Sequence, residues 1–383
     1  MANAVIIVGG GPVGSVLALA LQQHNIAFTM LEARAKGASH ADKRALALSY
    51  GTRLILEKLG VWDAVEAKAT AINTIHISQR GGFGRTKLNA AEQNLPALGY
   101  VAAYGALTQA LDNHLDTNQV QYEAEATQIK PGESFAQVTY GAKTLESPLV
   151  VVADGGRSLG EIEGIQRETK EYGHDALVTK VHAELPHNNI AYERFTPQGP
   201  MALLPNGNDK NSCEFSLVWT GLQANVHAVA GLDDFTFLKQ LHEAFGDRVG
   251  EFLSVEKRLC FPLKLSTLKP ATAPHLAIIG NAAQTMHPVA GQGFNVGLRD
   301  ARALADLIIN TPEIALGASP MLDAYSKQRS RDVKGGVLFT DLLVNTFSND
   351  IIGLQAARGL GLGALQLLKP ARSFLVSKMS FGK

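Results

Sequence analysis

The stretch Val5-Ile6-Ile7-Val8-Gly9-Gly10-Gly11-Pro12-Val13-Gly14-Ser15-Val16 decides the fold. Val5 to Val8 is apolar and β-branched, as a buried strand requires, and the apolar run resumes from Val16 to Leu21 as a helix. Between them Gly9, Gly11 and Gly14 stand at GxGxxG spacing, which permits a tight turn, close backbone approach to a pyrophosphate, and close packing of helix on strand. Pro12 and Val13 open the helix, whose free N–H groups and dipole favour an anion. A second strand, Ile26 to Leu31, ends at Glu32, at the distance past the glycines where an acid receives adenosine ribose hydroxyls. A 2′-phosphate would be repelled by that carboxylate, so the expected nucleotide is FAD or NAD rather than NADP.

Working outward, 383 residues exceed what one core usually serves, and two lobes plus an extension are expected. Lys plus Arg equals Asp plus Glu at 35 each, which gives no global electrostatic reason to expect a nucleic-acid partner. Cys213 and Cys260 stand far apart and outside any Cys/His cluster, so neither a disulfide scaffold nor a metal site is expected, and a reducing cytoplasm is the plain inference. Met1 to Leu31 lacks charge until Glu32, but the glycine turn and the polar run Gln22 to Asn25 cut it into pieces too short to span a bilayer.

Further along, the pattern predicts a helix from Ser49 to Leu59, a strand from Thr74 to Ser78, a helix from Ala106 to Leu115, and a buried strand, Leu149 to Ala153, that delivers Asp154-Gly155. From about Asp175 to Pro262 alternating runs flank a single helix, Asp233 to Phe245, which reads as a mostly antiparallel lobe. The first pattern then returns: His275 to Ile279 is an apolar strand followed by Gly280-Asn281, and a long helix opens at Gly291. The expected fold is therefore α/β, with a Rossmann-like nucleotide domain discontinuous over 1–72, 100–174 and 270–315. A mostly antiparallel β substrate lobe is inserted over 73–99 and 175–269, and helices fill 316–383.

Three glycine motifs carry a resemblance. Together with the N-terminal turn, Asp154-Gly155-Gly156-Arg157-Ser158 and the run Gly280-Asn281-Ala282-Ala283-Gln284-Thr285-Met286-His287-Pro288-Val289-Ala290-Gly291-Gln292-Gly293-Phe294-Asn295 resemble the class A flavoprotein monooxygenases, aromatic hydroxylases related to para-hydroxybenzoate hydroxylase. The third motif, with Gly199-Pro200-Met201, Val218-Trp219 and Phe261-Pro262-Leu263, is similar to the ubiquinone-biosynthesis hydroxylases, and among them to the polyprenyl-methoxyphenol hydroxylases. The likeness runs over essentially the whole chain.

The resemblance implies FAD, with NAD(P)H as a possible transient reductant, O2 as co-substrate, and a polyprenylated phenol hydroxylated through a flavin C4a-hydroperoxide that a dry pocket protects. It places Arg44, Asp154, Gly155, Gly280, Asn281, Pro288, Gly291, Gln292, Gly293 and Asn295 with Gly9, Gly11, Pro12, Val13, Gly14 and Glu32 around the cofactor. Asn281 replaces the family's usual Asp, and Glu161 stands where an Arg is frequent. Gln109 is the polar candidate on a helix where relatives carry an arginine. Pro288 and Met201 are expected to wall the flavin ring, and His287 to act on a phenol proton.

After Asp350 no acid occurs, while Arg358, Lys369, Arg372, Lys378 and Lys383 alternate with leucines and phenylalanines. This implies peripheral contact with the inner face of a membrane, or a cap on the nucleotide domain or a second subunit. A ubiquinone-biosynthesis protein complex and an oligomer are further expected partners. Hydroxylation of another ring position or a soluble phenol, and a non-catalytic flavoprotein scaffold, are the alternatives.

Overall fold

A computed structural model describes residues 4–82, 84–160, 162, 164–285, 292–330, 332, 335 and 352–382. At its centre Val5–Val8 pairs in parallel with Leu149–Val152 on one side and Phe28–Glu32 on the other. Leu276–Ile278 and Val120–Tyr122 extend this sheet in parallel, so residues far apart in sequence complete one layer. Val5–Val8, Leu149–Val152 and Leu276–Ile278 are apolar at every position because both faces of the sheet are covered there. Val5 and Ile7 enter a core with the helices Pro12–Gln23 and Gln292–Ile309, whereas Ile6 and Val8 enter a second core beneath a three-stranded antiparallel meander.

The larger sheet is ordered Gln284–Thr285, Leu259–Lys269, Gln166–Ala183, Glu214–Leu222, Gly199–Asn206, Ile190–Thr196, Thr74–Gln79, Arg85–Asn89. All its pairings are antiparallel except that of Ile190–Thr196 with Thr74–Gln79. One face packs Leu203, Phe215 and Trp219 against Phe237, Leu241 and Phe245 of the helix Asp234–Phe245. That helix is capped by Asp233, whose carboxylate accepts from the Thr236 amide at 3.0 Å. The other face of the sheet turns toward the nucleotide domain.

The long strand begins at Gln166, nine residues before the expected start of the lobe. Gln166 to Glu171 is too polar to read as a strand, yet it pairs with Lys264–Lys269, and cross-strand ion pairs Lys264–Glu171 (2.8 Å) and Lys269–Glu168 (2.5 Å) line the ladder. A small sheet of Ala45–Ser49, Gly99–Ala103 and Thr70–Ile72 lies between the two large ones.

The helices Ile352–Leu367 and Lys369–Phe381 close the molecule. The first lies on Arg85–Asn89, where Thr86 Oγ1 donates to the Leu362 carbonyl at 2.6 Å. The second reaches the nucleotide domain, where Ser49 Oγ donates to the Ser380 carbonyl at 3.2 Å.

Candidate functional site

The three motif glycines divide their labour. Gly9 holds φ +106°, and a Cβ there would stand 2.7 Å from the Asp154 backbone. A Cβ on Gly14 would collide with the Gly9 carbonyl oxygen. Both are needed for the protein's own packing. A Cβ on Gly11 would meet nothing nearer than the Tyr104 hydroxyl at 3.6 Å, so this residue faces open space at the N-terminus of Pro12–Gln23. That is the cradle a diphosphate requires.

The open space is a cleft of about 430 Å³. Gly9, Gly11, Pro12 and Val13 form its floor, Glu32 and Arg34 one end, Arg44 and Tyr104 a flank, and Asp154, Gly155, Asn281 and Gly293 the rest. Glu32 is buried and accepts from the Gly10 amide (2.7 Å), the Arg34 amide (2.9 Å) and Arg34 Nε (2.7 Å). Burial works against its charge, but the Arg34 hydrogen bonds, the Arg34 charge and the Gly10 amide outweigh it and hold the carboxyl below its ordinary range. With Arg34 Nη2 also on Oε2 at 3.2 Å, the carboxylate already accepts four bonds, so a ribose hydroxyl reaches it by displacing Arg34.

Arg44 pairs with Asp42 at 2.6 Å and lies over the Tyr104 ring, 5.2 Å from its centroid. Asp154 spends its carboxylate on its own turn, accepting from the Gly156 and Ser158 amides, each at 2.8 Å. Gly280 adopts φ +63° and packs with Gly297 on Val13, which seats the third motif on the first helix. Its amide donates to the buried Asp300 carboxylate at 3.1 Å, and Arg329 Nε donates to the same carboxylate at 2.7 Å. Asn281 stands exposed at the resulting turn.

A second cavity, about 320 Å³, is largely apolar. It meets the first at Asn281, Thr285, Gly293 and Phe294, the beginning of the helix Gln292–Ile309, and continues between Ala45–Ala47, the sheet residues Ala191, Pro200, Ala202 and Leu204, and Met379. Both cavities therefore share one wall.

Three expected residues lie elsewhere. Met201 is fully buried on the opposite face of Gly199–Asn206, packed with the lobe core, because side chains alternate along a strand and Pro200, Ala202 and Leu204 take the cavity side. Gln109 lines neither cavity and accepts from Lys68 Nζ at 3.0 Å on the outer side of the helix Tyr104–Asp112. Asn295 is buried as a clamp: its Oδ1 accepts from the Ser49 amide (2.8 Å) and Thr52 Oγ1 (2.7 Å), and its Nδ2 donates to the Ala47 carbonyl (2.9 Å). His287, Pro288 and Gly291 lie outside the described residues, as does the side chain of Gln292. Sequence reasoning missed Arg34, Tyr104, Thr285, Phe294, Glu193 and Met379. The alternation of Ile190–Thr196 carried a signal for Glu193; nothing local carried one for Met379.

A glycine-cradled cleft on a parallel sheet, opening into an apolar chamber under an antiparallel lobe, defines a flavin monooxygenase architecture. The p-nitrophenol 4-monooxygenase PnpA of Pseudomonas putida shares it, with TM-score 0.79 at 18% identity over 99% of this chain and 98% of that one. So does Klebsiella pneumoniae HpxO, solved with FAD, with TM-score 0.75 at 16% identity over 97% and 98%. The FAD binding domain family matches residues 2–340. Ubiquinone hydroxylase UbiL of Rhodospirillum rubrum is 33% identical over 96% of this chain and 87% of its own, and the 3-demethoxyubiquinol 3-hydroxylase of Escherichia coli is 31% identical over 94% of each. The chain belongs to this FAD-binding family and is an FAD-dependent monooxygenase of the ubiquinone-biosynthesis hydroxylase group.

Proposed function

We propose that the protein hydroxylates the aromatic ring of a polyprenylated methoxyphenol, using O2 and electrons from NAD(P)H or another donor. The shared wall carries the reading: the nucleotide cleft and the apolar chamber meet at Asn281, Thr285, Gly293 and Phe294, so a ring in the chamber abuts whatever the cleft holds. Bound FAD supplies two-electron chemistry and oxygen activation, which no side chain provides. Gly11 and the amides of Pro12–Gln23 hold the diphosphate, Glu32 the ribose, and Asn281 the ribityl chain. The N-terminus of Gln292–Ile309 offers positive potential at the shared wall, and Phe294, Pro200 and Met379 exclude water there. His287 and Pro288 keep their proposed roles as proton acceptor and ring wall.

Quinone profiling of a deletion strain tests the reading. A prenylated methoxyphenol should accumulate; loss of several intermediates together would favour the scaffold alternative, and an unchanged profile would sink both.

Peripheral membrane contact is supported by exposed Leu360, Leu367 and Phe374 on the last two helices and Leu368 between them, Leu367 at 84% and Phe374 at 67%. Among the described residues no helix is long and apolar enough to cross a membrane. The electrostatic share is smaller than five charges imply, because Arg372 is paired with Glu92 at 2.9 Å.

A further inference from the structure

Arg194, Arg329 and Arg372 are buried to the same extent, each 9% exposed. Arg329 is paired with Asp300 and Asp332, and Arg372 with Glu92, as buried charges ordinarily are. Arg194 has no carboxylate partner among the described residues. Its Nε donates to the Ala244 carbonyl at 3.4 Å and its Nη1 to Ser78 Oγ at 3.2 Å, while Nη2, beside Gly246, makes no hydrogen bond among them.

Its surroundings are positive. The ladders put Arg85, Ser78 and Arg194 in one cross-strand row and Lys87, His76 and Tyr192 in the next, on the face of the sheet opposite Ile75 and Ala191, which line the chamber. Arg80 directly follows Thr74–Gln79, and Arg248 stands in the turn after Asp234–Phe245, its amide donating to the Gly246 carbonyl at 3.0 Å. Among the described residues no acid pairs with Arg80, Arg85, Lys87 or Arg248, and the acids beside Arg248 in sequence, Asp247 and Glu251, lie against His242. Burial, then Arg248 and Arg80, lower the Arg194 pKa to about 10, and the same cations help to keep the neighbouring His76 neutral.

Like charges around a buried guanidinium disfavour the folded state, and an anion seated among them removes that cost. A carboxylate would satisfy one arginine; a dianion with three terminal oxygens matches several. We propose that this face of the lobe is a binding site for a phosphate monoester, with Arg194 Nη2 as its buried donor and Arg80, Arg248, Arg85 and Lys87 as its counter-charges. None of these residues lines the cleft or the chamber, so the site is separate from the proposed hydroxylation and stands or falls without it.

The test uses the FAD-loaded full chain, whose diphosphate cradle is occupied, and inorganic phosphate titrated calorimetrically with chloride holding the ionic strength constant. The unsubstituted protein should bind phosphate. Arg248→Gln, an exposed change, should weaken binding on the order of tenfold to a hundredfold, the size of a hydrogen bond to a charged group, and it decides the matter even where the buried Arg194→Gln fails to fold. Lys143→Gln, on the antiparallel meander of the nucleotide domain, should bind as the unsubstituted protein does. Phosphatidylcholine vesicles with and without phosphatidic acid identify the source of the ester: retention by phosphatidic acid that inorganic phosphate displaces and Arg248→Gln removes assigns it to a lipid headgroup, and phosphate binding without such retention assigns it to a soluble molecule. No phosphate binding by the unsubstituted protein, or undiminished binding in Arg248→Gln, overturns the site.

Discussion

The two cavities are made of different materials. The nucleotide cleft is framed by backbone: glycine turns, helix N-termini and carboxylates that brace their own loops, supplied by short segments that follow strands. The apolar chamber is framed by side chains from distant segments, Ala45, Ile72, Ala191, Ala202, Val218 and Met379 among them. Backbone framing tolerates no change at a few glycines and is indifferent to most else. Side-chain framing lets each position alter volume or polarity while the fold persists. The cleft's shape is thereby fixed, and the chamber's left adjustable, in one molecule.

The sharpest way to break this comparison is at the glycines. Gly14→Val should abolish folding, because even a Cβ collides with the Gly9 carbonyl, whereas Gly11→Val should give folded, colourless protein. Circular dichroism and flavin absorbance separate the two, and a yellow Gly11→Val protein with full flavin content would contradict the cradle.

Next comes the chamber. Ala202→Phe should fill it and lower hydroxylation at least tenfold with FAD retained, while Met379→Gly should open it and raise the ratio of hydrogen peroxide to product several-fold. Unchanged coupling in the glycine variant would remove Met379 from the wall.

The two regions also differ in their response to acid. His76, buried in the lobe with Nδ1 lacking a partner among the described residues, has its pKa pushed down to about 4, chiefly by burial and then by Arg248. The unfolded chain takes up this proton from pH 6.5 downward and the folded protein does not, so stability falls between pH 6.5 and about 4. His76→Phe should flatten that limb by on the order of 2 kcal/mol in denaturant titrations at each pH. Glu32 acts lower: its depressed folded pKa lends stability above about pH 4.5 that is lost as pH falls further. Glu32→Gln should remove this acid limb; a Glu32→Gln profile that keeps the limb would place the acid sensitivity elsewhere.

How much of this was legible follows from the same contrast. The glycine turn, the acid after the second strand and the returning strand Leu276–Ile278 are local signals, each fixed by backbone need. Met201 and Pro200 are neighbours in sequence, and alternation says only that they face opposite ways; which face meets the cleft depends on where Asp234–Phe245 packs. Asn295 has the residue type of a cofactor ligand, but its partners Ser49 and Thr52 lie about 250 residues away. Gln166 to Glu171 carries no apolar alternation, and what makes it a strand is its ladder with Lys264–Lys269, far along the chain.

The parallel sheet has a consequence for synthesis. Val5–Val8 leaves the ribosome well before its neighbour Leu149–Val152 and the next strand, Leu276–Ile278. At roughly 5–20 residues per second the opening strand waits on the order of 15 to 55 s for the layer to close. Throughout that interval an apolar strand edge stays unpaired on the nascent chain. Slow codons or scarce chaperone should therefore trap this protein as aggregate sooner than one whose sheet is made of consecutive strands.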